Sequence, residues 1–405
     1  MITLDQARNQ FIAAVNCSNR CEIVSLDAAL QRVLAEDIVS ELNVPPQDNS
    51  AMDGFALSSR YLNAGETELK ISQRIPAGSQ GDSLALGTAA RIFTGGEIPA
   101  GADAVVIQEN CEYDQLAVKV RTPVSVGDNI RPRGQDISLG ARVVGQGKRL
   151  TAIDLGLIAA VGKPEVSVYK KIRVAIMSTG NELIDPGQPL EKGQIYNSNR
   201  VMLLALCQHL GYITIDCGVV GDTLAATKSA LRQAAEKADI IVSTGGVSVG
   251  EEDYMKLAIE ELGTIQRWKV QMKPGKPVVF GSIEVQDLVT PILALPGNPV
   301  SSFITFQLLG LPILRKLQGQ QQSKRVAFMV EAGFSRALVT REEFIRVRIN
   351  RSDTKHIKAE LFDNQSSGVL SSLSWADGLV RQAIGAQINK GQLAEFLPME
   401  NGVLL

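Results

Sequence analysis

Histidine is nearly absent from this chain, which has only His209 and His356. The five cysteines include one loose pair, Cys17 and Cys21, and no second pair or histidine completes a zinc site. They read as reduced, structural thiols. A formal net charge of −2 leaves no bulk basic field for nucleic acid. The opening MITLDQARNQF lacks the basic leader and long apolar core of a signal peptide. No uninterrupted apolar run approaches the ~18 residues that span a bilayer. The expectation is a cytoplasmic protein with neither nucleic acid nor membrane as a partner.

What is present is length enough for two to four domains: 405 residues, 45% of them hydrophobic. Thr3 and Gln6 form a capping-box pattern that predicts a helix from Leu4 toward Ala14. Ser25 is a good N-cap for a second helix over Leu26–Ala35. A third, Ala152–Ala160, is capped by Thr151, stops at Gly162 and offers the first two a packing partner. Together they predict a discontinuous helical domain, 1–41 with 145–171. Between its halves, over 42–144, brief apolar runs alternate with glycine-rich turns, as in a small β domain. Residues 172–316 read as an open α/β domain. After a linker, Gln318–Ser323, residues 324–405 return to β texture as a barrel-like domain, with Arg341–Ile349 read as a strand with one exposed face.

The α/β stretch carries the strongest signals. Val174–Met177 and Asp239–Val242 are short buried strands that run into glycine turns, and ligands of such sheets sit at the carboxyl ends of the strands. Glu182, Asp222 and the run Glu251, Glu252 and Asp253 fall just beyond strand ends. Asp222 also has the plainer reading of a helix cap. Ser243–Gly250 puts three glycines and three hydroxyls after an aliphatic strand, a nest of N–H groups suited to phosphate. It has neither the ending of a Walker A motif nor the spacing of a dinucleotide fold. Three carboxylates beside such a cradle repel it and one another unless a hard cation joins them, which implies Mg²⁺. Lys269, Lys273 and Lys276 follow, the last set between Pro274 and Pro277. Ala294–Ser302 then ends a strand and opens an apolar helix whose start faces an anion near Ser301. Within the small β domain, three polar loops hold Asp53, Thr94, and Arg131 with Asp136. Each alone reads as an ordinary turn, Pro45–Gly54 as an Asx-turn loop; three together point to an oxyanion- and metal-contacting surface.

The segments NSAMDG, FTGG, RxRGxD, STGNEL, VGD, STGGVSVGEEDY, MKPGKP and LPGNPVS, spread over essentially the whole chain, resemble the molybdopterin molybdenumtransferase (MoeA) family, which is related to the gephyrin E domain. The resemblance implies a homodimer of four-domain subunits that inserts molybdate into adenylylated molybdopterin and releases AMP, the final stage of molybdenum cofactor synthesis. It implies Asp53, Thr94, Asp136, Glu182, Asp222 and Asp253 as catalytic positions, with Glu182, Asp222 and Asp253 on Mg²⁺ and Asp53 contributing across the dimer cleft. Substrate contacts implied are Arg131, Ser243, Gly245, Gly246, Ser248, Gly250, Lys269, Lys273, Lys276, Pro277, Ser301 and Arg346. Transient contact with molybdopterin adenylyltransferase and with molybdoenzyme maturation proteins is also implied. Departures from the family pattern are Gln47, Pro132 and Asn197, the last removing one carboxylate from the pocket. The alternatives are an adenylyltransferase of the same fold and a non-catalytic gephyrin-like scaffold.

Overall fold

The computed structural model describes residues 1–63, 67–246, 254–322, 325–350 and 357–405. They divide into two units, one of residues 1–22, 31–35 and 168–405, the other of residues 23–30 and 36–167.

The larger unit is built on a six-stranded sheet. Its strands are β1 (Arg173–Thr179), β2 (Ile213–Val220), β3 (Ile240–Thr244), β4 (Gly263–Lys269), β5 (Pro277–Val285) and β6 (Leu288–Leu295), in the order β2-β1-β3-β6-β5-β4. The first four in that order run parallel, and β5 and β4 pair antiparallel. In β1, Val174 and Ile176 join one core layer with Leu203 and Leu206, while Ala175 and Met177 join the opposite layer with Leu231 and Met255. Burial on both faces is why the strand reads as a continuous apolar run. Each such aliphatic side chain contributes about 1.5–3 kcal/mol. The flanking helices are α1 (Leu4–Ala13), α2 (Ser198–His209), α3 (Leu224–Lys237) and α4 (Tyr254–Leu262).

The predicted capping box of Thr3 and Gln6 is formed. Phe11 of α1 stacks on Phe280 of β5 with ring centroids 4.7 Å apart, so the helix finds a partner in the α/β layer. The expected helix over Leu26–Ala35 is a single 3-10 turn, Leu26–Ala28, and Ser25 ends a strand without capping it. Gln31 has φ 61°, outside the right-handed helical region, which stops propagation there.

From Pro299 to Leu317 the chain is helical throughout, passing through a π turn at Phe306–Gly310. This helix is long and apolar enough to cross a membrane, contrary to the sequence expectation, but 89% of its most apolar window is buried in the core. Pro312 has no N–H to give to the turn before it, and Arg325 Nη2 donates instead to the carbonyls of Gln307 (2.9 Å) and Leu308 (3.2 Å).

The expected barrel closes through strands Glu342–Asn350, Lys358–Leu361, Phe328–Ala332, Leu393–Glu400 and Gly378–Gln382, the last pairing back to the first. Glu342–Asn350 is not a half-exposed strand: its first six residues are buried. Ile345 and Val347 fill the barrel, whereas Phe344 on the alternate side belongs to the α/β core. Ser366–Leu373 adds no strand to the barrel and leads into a short helix, Ser371–Trp375. Met272–Lys273 adds to the barrel's edge, parallel to Glu342–Glu343.

The smaller unit holds a six-stranded sheet in the order Ala104–Ile107, Gly54–Leu57, Thr88–Ile92, Glu68–Ile75, Ala117–Val120, Cys111–Tyr113. Its helix Ala152–Ala160 carries the expected Thr151 cap, closed into a capping box by Asp154, and Gly162 follows at φ 77°.

Candidate functional site

In the larger unit the loops after β1, β2, β3 and β6 gather at the carboxyl edge of the sheet. The Asn181 N–H donates to the Asp222 carboxylate (3.0 Å) and the Asp222 N–H to the Asn181 side-chain oxygen (3.1 Å), which ties the first two loops together. Asp222 is therefore not the cap of α3; the Thr223 hydroxyl is. Glu182, in the loop after β1, is exposed. Gly245 (φ 88°) and Gly246 (φ 65°) turn the chain after β3, and a Cβ on Gly245 would lie 2.5 Å from the Thr179 carbonyl oxygen. Only glycine gives this backbone both its conformation and its closeness to β1. The Gly245 N–H reaches the Leu295 carbonyl at 3.2 Å, drawing in the loop after β6.

Polar atoms without partners concentrate here. Thr179 Oγ1, Ser243 Oγ, Asn197 Nδ2, Asn199 Oδ1, Ser302 Oγ and Thr305 Oγ1 are buried with no hydrogen-bond partner among the described residues. An unmet buried polar group costs about 1–3 kcal/mol, so a cluster at one sheet edge marks a surface built to be completed by a polar ligand. Asn197, read from the sequence as a lost pocket carboxylate, is instead 1% exposed and caps α2 through Arg200 N–H. Asn199, which carried no sequence signal, donates to the Gly297 carbonyl at 2.6 Å. Ser248, Gly250 and the acidic run ending at Asp253 lie outside the described residues.

The lysine loop approaches the same helix start. A Cβ on Gly275 would sit 2.3 Å from Thr305 Oγ1 and 3.6 Å from the Ser301 carbonyl. Lys269 and Pro277 face each other in the β4–β5 ladder, and the Lys276 carbonyl accepts from Val270 N–H at 3.1 Å. Lys269 and Lys276 point to solvent; Lys273 does not stand alone, because its ammonium is 2.8 Å from Glu343. Burial would raise the Glu343 carboxyl, but bonds from Lys273 and Arg336 outweigh it and hold it below its ordinary 4.5. Sequence reading missed Glu343, and its only signal was two adjacent acids inside an apolar strand.

Ser301 is 5% exposed and Arg346 1%. The Arg346 guanidinium donates to Ser372 Oγ (3.0 Å) and to the carbonyls of Ser366 (3.0 Å) and Asn364 (3.4 Å). Burial, then the neighbouring Arg336, pulls its pKa down to about 10. The loop it holds returns to the helix start, where the Ser367 carbonyl takes the Val300 N–H at 3.0 Å. Arg346 is thus committed to shaping this loop, a correction to its expected role as a direct oxyanion contact.

The smaller unit brings its three polar loops together by itself. Asp53 accepts from both the N–H and the hydroxyl of Thr94, each at 2.8 Å. These two bonds, with help from Arg91, hold the Asp53 carboxyl below its ordinary 3.8. Asn49–Ser50 pairs with Ile130–Arg131, and Arg133 N–H donates to Asp48 at 2.7 Å. Asp53, Thr94, Arg131 and Asp136 all remain exposed. Arg91 lies over Phe55, Phe93 and Tyr113 and donates to the Gly54 carbonyl at 3.2 Å, fixing the backbone behind Asp53.

No group of three acids, cysteines or histidines converges among the described residues. Asp222 and Glu182 nevertheless supply hard oxygen donors at the ends of adjacent strands. Mg²⁺ typically takes one or two carboxylates and completes its shell with water and substrate phosphate. The donor set fits that ion.

Comparison with known proteins follows the same divisions. The MoeA N-terminal region (domain I and II) matches residues 2–162, a probable molybdopterin binding domain matches 175–316, and the MoeA C-terminal region (domain IV) matches 335–399. The molybdopterin molybdenumtransferase of Haemophilus influenzae is 39% identical over 80% of each chain. That of a Nostoc species is 39% identical over 74% of this chain and 70% of its own. The crystal structure of the molybdopterin biosynthesis moeA protein of Pyrococcus horikoshii OT3 superposes with TM-score 0.83 at 28% identity, covering 98% of this chain and 99% of its own.

Proposed function

Because the chain belongs to the MoeA family of molybdopterin molybdenumtransferases, we propose that it inserts molybdenum from molybdate into adenylylated molybdopterin and releases AMP. The observation that carries this reading is the glycine-lined turn at Gly245–Gly246, with buried polar atoms nearby that lack partners among the described residues. Such a surface suits a large polar ligand with phosphate groups. The substrate's two thiols bond to molybdenum as molybdate oxygen leaves as water, and a water molecule attacks the phosphoanhydride as AMP departs.

In this reading Gly245, Gly246 and Ser243 bind phosphate, with Ser248 and Gly250 of the same run. Asn199 and Ser302 orient the ligand, and Lys269, Lys273 and Lys276 attract the molybdate dianion. Glu182, Asp222 and Asp253 would hold Mg²⁺, which when bound neutralises phosphate charge and favours departure of AMP. Asp53, steadied by Thr94, serves the site in a homodimer, with Arg131 and Asp136 on its rim. The protein then works in the cytoplasm, in transient contact with molybdopterin adenylyltransferase and the maturation proteins of molybdoenzymes.

The test is Asp222→Asn, assayed for AMP release from adenylylated molybdopterin in single turnover with molybdate and Mg²⁺. Release is expected to fall at least a hundredfold, while sedimentation stays at about twice the 43.5 kDa chain mass. Wild-type release at limiting Mg²⁺ refutes the metal assignment. AMP formation from ATP and free molybdopterin would instead support the adenylyltransferase.

A further inference from the structure

A second cavity of about 810 Å³ opens in the larger unit, walled by α1, the end of the long core helix and the barrel. Four guanidiniums line it: Arg8, Arg315, Arg325 and Arg381. Two carboxylates share the wall, Asp5 at 2.7 Å from Arg8 and Glu395 at 3.2 Å from Arg381. Arg381 also holds Glu342.

Arg325 is the unusual member. Its Nη2 is spent on the two helix carbonyls beside Pro312, and its remaining N–H groups have no partner among the described residues. Burial first, and then Arg8 and Arg315, pull its pKa down to about 10, against the opposing charge of Asp5, with Arg381 adding a smaller downward pull. A cation set among cations, anchored by its neutral bonds with donors left over, is an arrangement that an anion relieves. The wall is not uniformly polar, because Ile12, Phe344 and Leu397 also line it. The volume lies within the usual range for a small organic ligand. Inorganic anions need no apolar wall, and a purely apolar guest leaves the guanidiniums unmet.

We propose that this cavity is a second ligand site, separate from the sheet-edge site, which takes a small organic phosphate through Arg8 and Arg325 and packs its carbon body on Ile12, Phe344 and Leu397. Phosphate fits better than a single carboxylate, since it offers several acceptor oxygens to forks arriving from different elements.

The experiment is calorimetric titration of the full chain with AMP and, separately, with inorganic pyrophosphate, both in EDTA to remove divalent cations. The same titrations are run on Arg8→Gln and Arg325→Gln. Arg325→Gln tests the anchored donor; Arg8→Gln, on α1, leaves the Gln307 and Leu308 carbonyls answered and keeps the test valid if the first variant misfolds. AMP is expected to bind more tightly than pyrophosphate, and each variant to weaken AMP about tenfold or more, the loss of one charge-assisted bond. Arg8→Gln also releases the Asp5 charge toward the cavity. The proposal is overturned by no AMP binding to the wild type, by unchanged AMP affinity in folded Arg8→Gln, or by pyrophosphate binding as tightly as AMP, which would leave the apolar wall without a role.

Discussion

Replacing Gly245 with alanine tests how rigid the cradle is. The new methyl group would lie 2.5 Å from the Thr179 carbonyl oxygen and 3.0 Å from its hydroxyl, at a backbone φ of 88°. The oxygen belongs to the end of β1, which is paired on both sides, so it has little room to retreat. Two costs follow: about 1–2 kcal/mol for an L-residue at positive φ, and about 1–3 kcal/mol for overpacking. Gly218 separates them, because it has φ 70° and nothing within 4 Å of its would-be Cβ. Gly218→Ala is expected to cost only the first amount, and Gly245→Ala about 2–5 kcal/mol in all. Both tryptophans, Trp268 and Trp375, belong to the larger unit. Urea unfolding followed by tryptophan fluorescence therefore reads that unit without the other. Equal midpoints for the two variants would refute the reasoning, since the Thr179 carbonyl would then yield freely and the turn would not be held against β1.

Two further outcomes can be checked. Arg20 (2.6 Å) and Arg173 (3.0 Å) both grip Asp239; burial opposes ionisation there, but these pairs prevail and hold the carboxyl below its ordinary 3.8. Its stabilisation is complete above that ordinary value and is lost as pH falls through the lower folded value, so Asp239→Asn should cost about 1–2 kcal/mol at pH 7 and converge on the wild type in acid denaturation; a constant gap across pH 2–7 would contradict the pairing. For Lys276→Ala, half-saturation by molybdate in single-turnover AMP release should rise about tenfold to a hundredfold. An unchanged value with weakened pterin binding would move the lysine to the phosphate site.

Much of the sheet-edge site was legible because local rules produced it. Strands buried on both faces wrote themselves as apolar runs, and glycine turns marked their ends, so Asp222, Glu182 and Gly245 could be placed before any coordinates. The capping boxes at Thr3 and Thr151 were equally local. What escaped depended on partners far along the chain. Ser25 looks like a cap, but Gln31 at positive φ ends the turn that it would start. Arg346 looks like a free cation in a strand, yet it is spent on a loop some twenty residues onward. Lys273 and Glu343 are 70 residues apart, and no spacing rule joins them. Asn197 kept the position of a pocket residue while its side chain turned to helix capping.

The short parallel ladder of Met272–Lys273 with Glu342–Glu343 also bears on how such chains can be recombined. It is extended by Glu342 N–H to the Gln271 carbonyl at 2.9 Å and sealed by the Lys273–Glu343 pair. A crossover between related genes placed in the linker near Gln320 would exchange the barrel cleanly in sequence, yet it would split this ladder between two parents. Hybrids that inherit lysine and glutamate together should pass. Those that inherit the lysine opposite a foreign cation would set two like charges against each other at the seam, and inheritance at these two positions should be correlated even though neither is near the other in the reading frame.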